Sequence, residues 1–393
     1  MTHMIELKNT LKKNTMFFAL IVVMVLFQVM ISVADKGSLF NPANISNIIS
    51  QNAYVVILAS GMLLCILTGG NIDLSVGSIV CLVGAVAGTL IVNMGINIYL
   101  AMFLSLLVGL AIGAWHGFWI AYVRIPPFIV TLAGMLLWRG VAMIILDGLT
   151  ISPFPAEYLK YFTSFLPGEA DSAVIYAVTL SVAFAACALF VVLQILDRIK
   201  KVRKGYETEP LLMMIVRLVL ISGAVLVVFW FLAQHKGIPV VLILITIIVL
   251  IYSYFTTKTV PGRHLYALGG NEKAAKLSGV NTNKVLFFAY TNMGFLSAVA
   301  ALVGVARFNS AFPAAGTNYE LDAIGACFIG GASAYGGTGT VGGAIVGAIF
   351  MGVLNNGMSI LGIDANWQKA VKGIVLLAAV VFDILSKKRA KSR

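Results

Sequence analysis

The 393-residue chain is 60% hydrophobic and only 11% charged, less than half the ~25% charge of a soluble globular chain, which excludes an ordinary soluble domain. Its formal net charge is +12 at pH 7. Most of the Lys and Arg fall in short stretches at 8–13, 124, 198–204, 258–284 and 387–393, the distribution that retains loops on the cytoplasmic side rather than one that reads nucleic acid.

Continuous Leu/Ile/Val/Ala-rich runs recur along the chain, many reaching the ~20 residues that cross ~30 Å of hydrocarbon as helix. They do not show the ~10-residue alternation of a membrane β-barrel. The fold class is all-α: one polytopic transmembrane domain over 1–393. Lys8, Lys12 and Lys13 place the N-terminus inside. The first span, 17–33, is read as retained, being longer than a signal-peptide core and lacking an Ala-x-Ala-like site. An external loop at 35–47, with turn chemistry at Asn41-Pro42, leads to span two at 48–67. That span ends in TGGNIDLSVGS at 68–78, which sets Asn71, Asp73, Ser75 and Ser78 between two apolar runs too close for an ordinary loop. Carboxylates at such depth are costly and mark function. Non-helical backbone there is tolerated only when buried in protein or lining a water-filled cavity. A plainer role for Asp73, capping span three, is compatible with that one.

Spans three (79–94) and four (99–122) carry Gly84/Gly88 and Gly109/Gly113/Gly117 at helix-packing spacing, serving contacts within the subunit or across a dimer. Arg124 marks the inside, Pro126-Pro127 breaks the helix, and Phe128 and Thr131 lie where span five begins. Arg139 and Asp147 share a face of that span, as a buried polar seam or a helix-end position. After an external segment (150–171) come span six (173–196), a solvated internal loop (197–210), and spans seven (211–233) and eight (238–255), joined by an external turn at 234–237. The polar island 258–284 follows. Its core, NEKAAKLSG at 271–279, reads as a short helix with Asn271 as N-cap, Glu272 in the first turn, Ala274 and Ala275 in the middle, then Ser278 and a Gly279 stop. Lys276 follows Glu272 by four residues, the favourable order for an ion pair. Span nine (285–306) leads to an external segment with Arg307, Glu320 and Asp322. An apolar half-span at 321–329 runs into a Gly-rich stretch, 330–343, containing Ser333. Spans at 344–361 and 371–385 and a basic tail complete the chain. Both termini inside require an even number of crossings, ten to twelve.

Glycine-interrupted segments in both halves point to a transport pathway. The GTGTVG at 337–342 lacks the preceding strand and βαβ unit of a dinucleotide site, and no Gly-Lys dipeptide exists for a Walker A loop. ATP chemistry would therefore belong to another polypeptide. The four cysteines lie in apolar segments without metal or disulfide spacing. No catalytic residue, metal ligand or cofactor site emerges. An ion-driven carrier using Asp73, Asp147 or Glu320 is the alternative that the residues leave open.

Several stretches together resemble the permease subunits of bacterial ABC importers for ribose, xylose and related monosaccharides. They are GGNIDLSVGS at 69–78, PFIVT at 127–131 with Arg139-Gly140, GGNEKAAKLSG at 269–279, YELDAIGACFIGG at 319–331, the glycines of 336–343, and 367–373. The segment at about 197–236 is extra relative to shorter ribose-type permeases and resembles the xylose or multiple-monosaccharide branch. The resemblance implies an inner-membrane permease, as a homodimer or a pair of similar permeases, carrying xylose, galactose, arabinose or a similar sugar. It implies an extracytoplasmic sugar-binding protein and cytoplasmic ATP-binding subunits as partners. By position, Asn271, Glu272, Ala274, Ala275, Ser278 and Gly279 would form the helix coupling to the ATPase. Asn71, Asp73, Ser75, Phe128, Thr131 and Ser333 would line or gate the path.

Overall fold

A computed structural model describes residues 15–206 and 208–391; Lys8, Lys12, Lys13 and Arg393, read above as topology anchors, lie outside them. The first half comprises α1 (Thr15–Val33), α2 (Pro42–Leu67), α3 (Val76–Gly88, continued by a π-helical turn Thr89–Asn93), α4 (Ile98–Ala121), α5 (Pro127–Leu146) and α6 (Ala156–Thr163). Next come α7 (Ser172–Arg203), α8 (Leu211–Ala233), α9 (Val240–Lys258), α10 (Val260–Gly270) and α11 (Glu272–Leu277). The chain finishes with α12 (Thr282–Phe308), α13 (Tyr319–Ile329), α14 (Val341–Ile360) and α15 (Ala365–Lys391).

Among the described residues, ten helices are long and apolar enough to cross a membrane: α1 to α5, α7 to α9, α12 and α14. At 1.5 Å per residue the 11-residue α13 spans about 16 Å, half the hydrocarbon thickness. Three predicted boundaries move. Helix α2 begins at Pro42, because Asn41 caps it through Oδ1, which accepts from the Ala43 amide, and Pro42 takes the first-turn position; the Asn-Pro pair starts a helix rather than turning a loop. Helix α7 runs to Arg203, absorbing half of the predicted loop, with Lys200, Lys201 and Arg203 in its last turn, where cations oppose the helix dipole. Ile238 and Pro239 pair with Leu166 and Phe165 in a two-residue antiparallel bridge, so span eight starts at Val240. The polar island is not a loop but two helices, α10 and α11.

Helix α2 sits at the centre, buried on every side from Val55 to Leu67, as a helix apolar all round should be. It is surrounded by α12, α13 and α14, with α9 and α10 also against it. Helices α4 and α12 approach through their glycines: a Cβ on Gly294 would stand 2.3 Å from the Gly109 carbonyl oxygen, and one on Gly113 would stand 2.6 Å from that of Tyr290. The α4 glycines therefore serve packing within the subunit. Helices α7 and α8 pair with each other at the edge and leave most of their surface outward.

Candidate coupling and translocation site

The two Gly-rich breaks, far apart in sequence, meet at one point. The chain leaving α2 runs through Gly69 and Gly70 (φ +138° and +74°), conformations open to glycine and closed to most side chains. A Cβ at Gly70 would lie 1.9 Å from the Ala334 carbonyl oxygen, and one at Gly336 would lie 2.5 Å from Cα of Gly69. The Gly337 amide donates to the Leu67 carbonyl at 3.1 Å. The end of α10 completes the junction: a Cβ on Gly269 would fall 1.8 Å from that same Leu67 oxygen and 2.4 Å from the Gly337 nitrogen. One turn earlier on α10, the Tyr266 hydroxyl donates to the Gly339 carbonyl at 2.9 Å. Burial pushes the pKa of Tyr266 above its ordinary value, which keeps it a neutral donor.

Helix α11 begins two residues beyond Gly270. Asn271 caps it, Oδ1 accepting from the Ala274 amide at 3.0 Å, and Gly279 ends the turn at φ +86°. The expected Glu272–Lys276 pair is replaced by a longer-range one. Arg124, itself at φ +65° between α4 and α5, places Nη1 2.7 Å from Glu272 Oε1. Its Nη2 donates to Thr282 Oγ1 at 3.0 Å and to Asn283 Oδ1. Arg124 thus ties α11 and the start of α12 to the foot of α5, a role beyond the topology marker read from sequence. Of the coupling residues proposed from sequence, Asn271, Glu272, Ala274, Ser278 and Gly279 are exposed, but Ala275 is buried at 5% exposure and faces inward. The apolar side chain presented outward is Leu277, 90% exposed. It was missed because a leucine at the end of a helix looks, in sequence, like an inward anchor.

The predicted path residues separate into three settings. Asp73 and Ser75 are wholly buried. Asp73 Oδ1 accepts from the Ser75 amide at 2.8 Å and the Ser75 hydroxyl at 2.5 Å, so Asp73 closes a turn ahead of α3 while Ser75 occupies the cap position without a side-chain cap bond. Ser75 Oγ lies 3.4 Å from His116 Nδ1 on α4, and Trp138 Nε1 on α5 donates to His116 Nε2 at 3.1 Å. Since Nε2 accepts, the neutral ring carries its proton on Nδ1, and the four side chains form one directed chain: Trp138, His116, Ser75, Asp73. His116 fits because Gly134 faces it; a Cβ there would stand 2.2 Å from Nε2. A lone histidine in an apolar segment gave no spacing signal for this. Asp73 Oδ2 remains buried without a partner among the described residues.

Asn71 and Ser333 flank the glycine junction; Asn71 Nδ2 donates to Thr68 Oγ1 at 3.1 Å, and Ser333 Oγ accepts from the Tyr335 amide at 3.1 Å. Thr131 is buried and returns its hydroxyl to the Pro127 carbonyl at 2.9 Å. Phe128, one turn away, is 55% exposed and faces off the subunit, apart from the others.

Beyond α2's buried centre a second polar cluster fixes α13. Asp322, 1% exposed, takes Tyr54 of α2 at 2.6 Å and Lys372 of α15 at 2.9 Å, and Tyr54 stacks on Tyr319 with centroids 3.7 Å apart. The sequence reading had placed Asp322 in an external segment; it is instead the buried end of an ion pair. Arg139, half-buried, donates to the Pro313 and Ala315 carbonyls at 3.1 and 2.7 Å, whereas Asp147 is the exposed C-cap of α5 at φ 49°. An exposed cap gives the ion-carrier alternative nothing at Asp147.

Known proteins are similar to this chain along nearly its whole length. The family model described as branched-chain amino acid transport system / permease component matches residues 44–380. The xylose transport system permease protein of Escherichia coli (strain K12) is 37% identical over 377 residues, covering 96% of this chain and 94% of that protein. That of Haemophilus influenzae is 37% identical over 387 residues, covering 98% and 100%. The ribose import permease protein of Escherichia coli (strain K12) is 34% identical over 365 residues, covering 93% and 92%. No solved structure matches. With ten apolar helices among its described residues, two interrupted segments meeting at one junction and similarity along nearly its whole length, the chain belongs to the transport-system permease-component family.

Proposed function

We propose that the chain is the membrane-spanning permease subunit of an ATP-binding-cassette importer carrying a monosaccharide, such as xylose, galactose or arabinose, across the bacterial inner membrane. One observation carries this reading: the exposed helix α11 is separated by a single residue from α10, whose Gly269 rests on both interrupted segments at once. A push on α11 from a cytoplasmic ATP-binding subunit therefore acts directly on the backbone that closes the path. Leu277 is the apolar contact and Arg124 the strut that carries the load sideways into α5. An extracytoplasmic sugar-binding protein delivers the substrate, and a second copy completes the path, which gives the outward-facing Phe128 a surface to meet. Both termini and α11 lie on the cytoplasmic side, in keeping with the basic stretches. The chain itself hydrolyses nothing.

The test is uptake by proteoliposomes holding this chain with its ATP-binding and sugar-binding subunits. Labelled xylose should enter only with ATP inside the compartment that holds the ATPase, with an uncoupler having no effect and leucine not transported. Uptake that persists without ATP and collapses with the uncoupler would overturn the reading.

A further inference from the structure

The α7–α8 hairpin takes no part in the junction, and the end where α7 gives way to α8 has a chemistry of its own. A cavity of about 290 Å³ lies there, lined by residues that include Gln194, Asp197, Arg198, Lys201, Glu209 and Arg217. Its two acids are already engaged. Glu209 pairs with Arg217 at 2.7 Å, which also takes Gln194 at 3.2 Å, and Asp197 pairs with Lys201 at 2.6 Å. Arg198 has no carboxylate partner among the described residues: Nη1 donates to the Glu209 backbone carbonyl at 2.6 Å. That leaves most of a five-donor fork for an added anion. Lys200, Arg203 and Lys204 stand exposed at the same end of α7, so this end of the hairpin holds more positive charge than it neutralises.

The cavity lies at the end of two helices that are each long and apolar enough to cross a membrane. Leu196 on α7 and Leu211 and Leu212 on α8, close to it in the chain, are exposed by 55 to 75%, the kind of surface a bilayer covers. A basic hollow at the end of membrane-crossing helices suits an amphipathic anion better than a soluble one. We infer that this cavity binds the phosphate of an anionic phospholipid such as phosphatidylglycerol, with Arg198 holding the phosphate, Lys201 shared between it and Asp197, and the chains lying along the outer surface of α7 and α8. The hairpin is fastened to the rest of the subunit at its other end, where Phe165 and Leu166 bridge to Ile238 and Pro239. A lipid at the Arg198 end would fasten it there as well.

The full chain in nanodiscs of phosphatidylcholine with a minor fraction of phosphatidylglycerol provides the test, read by native mass spectrometry of the lipid it retains. Two cations at a membrane surface predict a preference for phosphatidylglycerol on the order of 30-fold. Arg198→Gln/Lys201→Gln should lose most of it, and Lys236→Gln, at the far end of the hairpin, should keep it. Hydrogen exchange of the wild-type chain needs no variant and should show protection by phosphatidylglycerol centred on 194–217. No preference in the wild type, an equal preference in the double variant, or protection only elsewhere would overturn the inference. Displacement of the lipid by an equal concentration of inorganic phosphate would overturn it too, assigning the site to a soluble anion.

Discussion

Replacing Gly269 by alanine tests the junction where it is tightest. The added Cβ would stand 1.8 Å from the Leu67 oxygen and 2.4 Å from the Gly337 nitrogen, against a floor of 3.0 Å that real Cβ contacts essentially never breach. Both neighbours are backbone, so neither can rotate away. One of the chains must retreat by about 1.2 Å, the difference between 1.8 and 3.0 Å, and the 3.1 Å hydrogen bond from Gly337 to Leu67 is lost with it. Overpacking costs about 1–3 kcal/mol and the bond a further ~1 kcal/mol, together about 2–4 kcal/mol. At 1.4 kcal/mol per tenfold, that favours the separated junction by roughly thirtyfold to several hundredfold.

Gly270 is the matched control. It ends the same helix, yet no atom lies within 4 Å of a Cβ there, so Gly270→Ala should be neutral or stabilising by about 0.5–1 kcal/mol. Thermal unfolding in detergent and sugar uptake per ATP in proteoliposomes, measured on both variants, complete the test. Gly269→Ala should melt several degrees lower and lose uptake more than it loses ATP hydrolysis. If the two variants behave alike in both assays, the junction does not link the breaks to α10.

On α11, Leu277→Asp should weaken association with the ATP-binding subunits in a pull-down while leaving the melting temperature unchanged, whereas Ala275→Asp, which buries a carboxylate, should lower stability first. Arg124→Ala removes a pair whose partners are 41% and 49% exposed; its stability effect should stay below about 1 kcal/mol, yet sugar carried per ATP should fall, with Arg124→Lys restoring part of it. Lys372→Met strands the buried Asp322 carboxylate and should cost about 3–5 kcal/mol, of which Asp322→Asn in the same chain should return a large part. An equal melting temperature for the single and double variants would refute that pairing.

Span positions were legible in the sequence because hydrocarbon thickness sets one length scale, and composition reports it directly. The cap of α11 was legible too, since Asn271 and Gly279 act on backbone only a few residues away. The missed features are long-range. Nothing near His116 in sequence shows that Trp138 lies one hydrogen bond away or that Gly134 makes room for the ring; both depend on how α4 crosses α5. Glu272 has a plausible local partner in Lys276, and the sequence gives no reason to prefer Arg124 from 148 residues earlier. Asp322 looked external because α13 is too short to read as buried; only Lys372 and Tyr54, from two other helices, make its burial tolerable.

On the proposed coupling role, the contacts at the junction would let so small a helix as α11 move a path through the membrane. Side chains absorb displacement by changing rotamer, and a junction built from them would dissipate a push of an ångström or so. Here Gly69, Gly70, Gly269, Gly336 and Gly337 leave backbone against backbone, with no rotamers to yield. Densely packed contacts of this kind hold one arrangement or pass to another rather than deform gradually. Helix α11 is held at two points, through Gly270 to that junction and through Arg124 to α5. On α5, the next polar attachments are Trp138, toward His116 and the Asp73 turn, and Arg139, toward the carbonyls ahead of α13. Both attachments of α11 therefore end at the two interrupted segments, one at their glycines and the other at the turn and the loop that flank them. Under the proposed coupling, a movement of α11 would reach both breaks from two sides, as opening a path between them would require.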